Sequence, residues 1–393
     1  MKKNLMITPE GTKDYLFKEC TAVNHVCKKI KKVFESHQFH QVITPVLEYY
    51  DLFSMDSSGI SQEMMFKTTD NTGRIIAVRP DSTLPIARLV ATRLQNETLP
   101  VRLYYNQSVY HNNRSLTGKF NEIMQMGVEL IGSSGIRADL EIITTAVQCM
   151  QAVSDDFRLE VGHAMLFNAL ADSLDVKDDI KEHIRVFIEN KNYSALNDIL
   201  DKLEQNDVVT AIRKLPSLFG GSEVFAKAES IITVPKALEA LDYLKSLYNY
   251  LEKLNLGDKL IIDLGIVKRN DYYSGIIFSG YVLGYGDAIL SGGRYDKLFD
   301  AFDCPTGASG FAIDINYIAE KAKYRSKSNI PEVLVYARDE DEIMDAIEYT
   351  SELVKNGVKA QFSVLSDVDE ARTFAEKLGI KKFVIYGDNN ETA

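Results

Sequence analysis

The chain has 393 residues, 45% hydrophobic and 26% charged, with 45 Lys and Arg against 56 Asp and Glu for a net charge of −11. That length asks for two or three domains around a sizeable core, and the composition is that of an ordinary globular protein rather than a disordered one. No run of about 18 uncharged apolar residues is present to span a bilayer, the N-terminal MKKNLMITPEGTKDY holds no apolar stretch of signal-peptide length, and the acidic balance opposes nucleic acid, whose phosphates need basic patches.

Cys20, Cys27, Cys149 and Cys304 show no CxxC spacing, which gives neither a disulfide framework nor a zinc site. A cytoplasmic protein is expected, with no metal, no cofactor, no membrane partner and no nucleic acid.

In chain order, apolar residues at intervals of three and four predict an amphipathic helix over about 18–39, its other face rich in lysine. The β-branched run 41–48 with Pro45 at its centre fits an edge or interface strand. Strands are expected over 75–79, 101–105 and 127–131, a helix over 139–150 and a strand over 158–161. From about 165 to 256 the pattern is helical with no clear strand, an inserted helical subdomain. Strands return at 259–263, 275–279 and 288–290. Beyond the polar stretch near residue 328, a β-α-β-α-β alternation marks a small α/β domain over 328–393, after a main domain over 1–327.

Four polar clusters interrupt these patterns. In RPDSTLPIAR (79–88), Asp81 and the hydroxyl of Thr83 suit an ammonium group, although Asp81 or Ser82 also serves as a helix cap. In QMGVE (125–129), Gln125 and Glu129 fall four apart on one face of a strand. The segment 264–275 carries Lys268, Tyr272 and Tyr273. SGGRYD (291–296) reads as a tight glycine turn that delivers Arg294 and Tyr295. Gly284 and Gly286, without a GxGxxG context, are read as hairpin turns.

Taken in order, RPDSTLPIAR, GKFNEIMQMGVELIG, DYYSGIIF, SGGRYDKL and GFAIDI resemble the core of histidyl-tRNA synthetase and its paralogue, the ATP phosphoribosyltransferase regulatory subunit; GTKDY (11–15) fits the same pattern. The resemblance covers residues 1–320. It implies an α+β fold of the class II synthetase type, an antiparallel sheet flanked by helices, dimeric through the first helix and the strand around Pro45. It implies that a histidine ammonium is held by Asp81, Thr83 and Gln125 and the imidazole by Glu129, Tyr273 and Tyr295, with Lys268, Tyr272 and Arg294 completing the ligand-binding set.

The phosphate side departs from the synthetase pattern. His111 and Asn113 stand where the resemblance expects an arginine and a glutamate, Asn316 and Tyr317 where it expects a glutamate and an arginine, and Lys268 replaces an arginine with a donor that lacks the planar fork. Loss of one such donor costs roughly 10²–10³ in rate. The segment from Pro331 to Ala393 holds seven Lys and Arg against fourteen Asp and Glu, unlike a tRNA-gripping module. Within that resemblance, these departures point to the paralogue, and the resemblance then implies a non-catalytic regulatory subunit that binds free histidine and joins a short-form ATP phosphoribosyltransferase catalytic subunit, expected as a hetero-octamer. An active histidyl-tRNA synthetase is the alternative.

Overall fold

The computed structural model describes residues 6–55, 59–113, 118–267, 273–321 and 330–387; Lys268 and Tyr272 lie outside them. The chain divides into two compact units, Met1–Lys323 and Tyr324–Ala393.

The first helix, α1 (Lys18–Ser36), buries Ala22, Val23, Val26, Ile30 and Phe34, the apolar stripe seen in the sequence. The run around Pro45 is not one strand but two, β1 (His40–Gln41) and β2 (Leu47–Tyr49), and they belong to different sheets. Proline has no amide hydrogen to continue a ladder. The carbonyls of Thr44 and Pro45 instead accept from Nη1 of the buried Arg79, each at 2.9 Å. With β3 (Lys67–Thr69) and β4 (Ile75–Val78), β2 forms a small antiparallel sheet.

Next come α2 (Thr83–Arg93), β5 (Val101–Tyr110), β6 (Glu122–Ile131), α3 (Ile136–Val153) and β7 (Phe157–His163). The inserted segment contains α4 (Ala164–Asp172), α5 (Asp178–Glu189), α6 (Tyr193–Leu200), α7 (Asp207–Lys214), the strand β8 (Phe219–Gly220), α8 (Glu223–Glu229) and α9 (Pro235–Lys253). β8 was not expected. Two residues are too few to show a period of two, and the strand exists because it pairs with β9 (Leu260–Asp263). The unit ends with β10 (Ile276–Val282), β11 (Leu290–Arg294), β12 (Ala308–Asp314) and α10 (Ile315–Lys321).

The main sheet has nine strands in the order β1-β5-β6-β12-β11-β10-β7-β9-β8. Its six middle strands, β5 to β7 in that order, are antiparallel as expected. Parallel pairings join β1 to β5 and β7 to β9. The stretch read as a glycine turn, Ser291 to Arg294, lies inside β11. Gly292 and Gly293 are needed there because a Cβ would come within 2.5 Å of the carbonyls of Gly310 and Ile276 respectively.

Strand alternation divides this sheet between two cores. Met126, Val128 and Leu130 of β6 pack with α1, α3 and the inserted helices. On the other face Ile131, Leu103 and Tyr105 meet α2 and the small sheet, through Leu84, Ile86 and Ala77. Between these covered regions a cavity opens on the second face.

The second unit is a three-stranded parallel sheet with β13 (Val333–Tyr336) between β14 (Ala360–Phe362) and β15 (Lys382–Ile385), linked through α11 (Ile343–Lys355) and α12 (Val368–Leu378). Val333, Val335 and Ala346 form its core.

Candidate functional site

The sheet face places Gln125 and Glu129 side by side on β6, and two glycines make room for them. Gly310 pairs with Glu129 across β6 and β12, and a Cβ at residue 310 would collide with the Glu129 carboxylate. Gly127 lies between them, and a Cβ there would collide with the Tyr105 hydroxyl. That hydroxyl donates to Gln125 Oε1 at 3.2 Å, and Gln125 Nε2 donates to Asp314 Oδ1 at 3.1 Å. The amide is thereby oriented from both sides. Burial lifts the Asp314 carboxyl to about 6, partly offset by the Gln125 bond.

The second contribution comes from the turn between β4 and α2. Asp81 Oδ1 accepts from the Leu84 amide at 2.9 Å, so it caps the helix and also lines the cavity. Thr83 Oγ1 donates to Glu129 Oε1 at 2.8 Å, and the Tyr295 hydroxyl, just past the end of β11, donates to Glu129 Oε2. Glu129 is 2% exposed. Burial pushes its carboxyl to about 8, against the pull of the Tyr295 and Thr83 hydrogen bonds and with a further push from Asp81. Burial raises Asp81 as well.

The resulting cavity of about 300 Å³ brings together Asp81, Thr83, Gln125, Glu129, Tyr273 and Tyr295, with His111 and Ser61 at its wall. Among the described residues lining it there is no Lys or Arg. An acidic pocket at the small end of the range for ligand sites, about 300–1,000 Å³, suits a small cationic or hydrogen-bond-donating molecule. Arg294 does not join it. That side chain turns to the opposite side of the sheet, where Asp139 takes its guanidinium. Tyr105, Asp314, Ser291 and Gly310 were not singled out in the sequence, although strand alternation through GFAIDI would have put Gly310, Ala312 and Asp314 on one face.

The positions where the resemblance expects phosphate-binding groups carry His111, Asn113, Asn316 and Tyr317, each in a structural contact. His111 Nε2 lies 2.8 Å from the Pro80 carbonyl, so this nitrogen carries the hydrogen and donates. Asn113 Nδ2 donates to the Phe120 carbonyl at 2.9 Å. Asn316 accepts from the Met124 amide at 2.6 Å and donates to the Tyr15 hydroxyl at 2.7 Å. The Tyr317 ring packs edge-on against Phe120 and Tyr285, with centroids 5.2 and 5.6 Å apart. Among the described residues no group of three or more His, Cys, Asp or Glu is placed to hold a metal ion, and no helix is long and apolar enough to cross a membrane.

A family model described as histidyl-tRNA synthetase matches residues 11–318. Among curated relatives, the ATP phosphoribosyltransferase regulatory subunit of Clostridium kluyveri is 39% identical over 381 residues, which cover 95% of this chain and 97% of the relative. The one from Clostridium acetobutylicum is 36% identical over 397 residues, covering 98% and 96%. The chain belongs to the ATP phosphoribosyltransferase regulatory subunit family. Its fold matches the crystal structure of an ATP phosphoribosyltransferase regulatory subunit/histidyl-tRNA synthetase from Bacillus halodurans, with a TM-score of 0.85 at 28% identity over 97% of this chain and 98% of that one. A histidyl-tRNA synthetase from Nostoc shares the fold, with a TM-score of 0.78 at 19% identity over 98% and 92%.

The buried acid predicts a pH dependence of stability. Between the ordinary glutamate range and about 8, the folded protein holds a proton on Glu129 that the unfolded chain has released. This contribution is complete below the unfolded value and is lost as pH rises through the folded one, at about 1.4 kcal/mol per pH unit. Glu129→Gln removes it. Denaturant titrations from pH 5 to 9 are expected to show the variant gaining on the parent as pH rises, with the gain levelling off above about 8.

Proposed function

We propose that this chain is a non-catalytic regulatory subunit of ATP phosphoribosyltransferase, supporting the first step of histidine biosynthesis, and that its pocket binds free histidine to inhibit that step. The observation that carries the reading is the Thr83–Glu129–Tyr295 arrangement. A buried carboxylate with two hydroxyls donating to it keeps further lone pairs to accept from a ring N–H. Asp81, the Thr83 hydroxyl and the Gln125 amide oxygen supply an acceptor set for the ligand ammonium, and Tyr273 and Tyr295 supply aromatic walls. Lys268 and Tyr272 complete the proposed set, and Arg294 supports it from behind the pocket without touching the ligand.

The same reading assigns no histidine activation to the chain. Two absent pre-organised donors, acting independently, lower a rate by about 10⁴–10⁶, and His111 and Tyr317, committed to the Pro80 carbonyl and the Phe120 ring, leave the developing phosphate charge without a fixed partner there. The alternative, a working histidyl-tRNA synthetase, meets the same objection. It also meets the acidic segment after Pro331, which suits a protein neighbour better than tRNA.

The partner is the short-form ATP phosphoribosyltransferase catalytic subunit, in a hetero-octamer built on a dimer of this chain. Ile43, Val46, Leu47 and Tyr49, on either side of Pro45, are 76%, 45%, 52% and 46% exposed. An apolar patch of this kind on a sheet edge supports self-association.

Three outcomes are expected. Histidine-dependent exchange of pyrophosphate into ATP stays at background; a rate comparable with a working synthetase returns the chain to the catalytic class. Glu129→Ala and Asp81→Ala each weaken histidine binding by tenfold or more, since removal of a buried charged partner costs about 2–5 kcal/mol; unchanged calorimetric affinity in both variants places the ligand elsewhere. Finally, light scattering of this chain mixed with the catalytic subunit gives a discrete complex whose phosphoribosyl-ATP formation histidine inhibits, and that inhibition shifts to higher histidine in Glu129→Ala.

A further inference from the structure

Behind the pocket, a buried polar chain joins β11 to the inserted helices. The Arg294 side chain is 7% exposed and that of Asp139, on α3, is fully buried. Arg294 Nε and Nη2 both donate to Asp139 Oδ1, at 2.9 and 2.5 Å. The second carboxylate oxygen, Oδ2, accepts from the Tyr243 hydroxyl of α9 at 2.5 Å. The Tyr243 ring lies edge-on to His163, 5.6 Å between centroids, at the corner between β7 and α4. Burial and the Arg294 charge depress that imidazole to about 4, so it stands there neutral.

The same guanidinium is joined, through Asp296, to the two segments that carry the tyrosines of the ligand site. Arg294 Nη1 donates to Asp296 Oδ1 at 2.9 Å, and that oxygen also accepts from the Ala308 amide at 2.8 Å. The Asp296 amide donates to Ser274 Oγ at 3.0 Å. Arg294 and Asp296 flank Tyr295, and Ser274 follows Tyr273, so both tyrosines that line the cavity are next in sequence to members of this network. A buried ion pair is a weak source of net stability, because desolvation offsets the attraction, whereas its hydrogen-bond geometry is directional. Positioning explains its presence better than stability does.

We infer that Asp139 and Tyr243 are positioning residues for the pocket: through Arg294, Asp296 and Ser274 they set Tyr295 and Tyr273, and they couple α9 of the inserted helices to ligand occupancy. The inference rests on the reading that the pocket binds histidine. Coupling of this kind is reciprocal. A ligand that draws Glu129 and Tyr295 into one arrangement favours one placement of α9, and a neighbour that shifts α9 changes the affinity of the pocket.

The test uses the full chain with Tyr243→Phe and Asp139→Asn, neither of which lines the cavity, and Ile184→Val in α5 as a core truncation outside the network. In the ligand-free protein, both network variants are expected to speed hydrogen exchange at residues 290–296 and 273–276, and Ile184→Val is not. Calorimetry with L-histidine is expected to show affinity reduced roughly 2- to 30-fold in the network variants and unchanged in Ile184→Val. In the parent, histidine is expected to slow exchange in α9, and in Tyr243→Phe that protection is lost. Parent-like exchange at 290–296 together with parent-like affinity in both network variants overturns the inference, as does an equal loss of affinity in Ile184→Val. If L-histidine fails to bind the parent, the pocket reading fails, and the ligand-free exchange measurement still decides the positioning role.

Discussion

The site depends on keeping one carboxylate inside a protein. Glu129 is 2% exposed, and a carboxylate taken out of water is tolerated only with hydrogen bonds or a proton. Thr83 and Tyr295 donate to its two oxygens, and burial lifts its carboxyl to about 8. The surroundings are shaped to permit this. Gly310 and Gly127 leave room for Glu129 and Tyr105, and the hydroxyls that satisfy Glu129 come from a helix start and a strand end on separate elements. A pocket assembled this way favours a ligand that restores charge complementarity to a group whose ionisation its own burial suppresses.

The two ends of the site differ in what their side chains are free to do. The acidic half is pre-organised: Gln125 is held between Tyr105 and Asp314, and Asp81 is tied to the first turn of α2. In the other half, His111, Asn113, Asn316 and Tyr317 are bonded to backbone or packed against rings. Recognition of an amino acid needs the first half alone. Stabilising a transferring phosphate needs charged donors aimed at empty space, and side chains already committed to neighbouring backbone do not provide them.

Much of the site was legible because its residues sit in short motifs. Asp81 and Thr83 share one run, Gln125 and Glu129 another, and a period of two already puts the latter pair on one face. The period of α1 and the β-α-β-α-β pattern of the last unit were equally plain. Other features were hidden. The run around Pro45 reads as a strand, yet it breaks between Gln41 and Leu47, where Arg79, distant in sequence, claims the carbonyls of Thr44 and Pro45. SGGRYD reads as a turn on its glycines, yet those glycines let β11 fit closely between β10 and β12.

By itself, then, the sequence determined that Asp81, Thr83, Gln125, Glu129, Tyr273 and Tyr295 stand in short polar motifs, and in what order those motifs run, since each is a matter of which residue stands within a few positions of another. Tertiary structure alone decided which of them meet. Tyr295 reaches Glu129 across 166 residues of chain, and Arg294, its neighbour, turns away to Asp139 across 155. Adjacent residues on a strand point to opposite faces, so one step of register assigns one side chain to the ligand and the next to the buried chain behind it. That register is set by the pairing of β11 with β10 and β12, a non-local contact that no local pattern encodes.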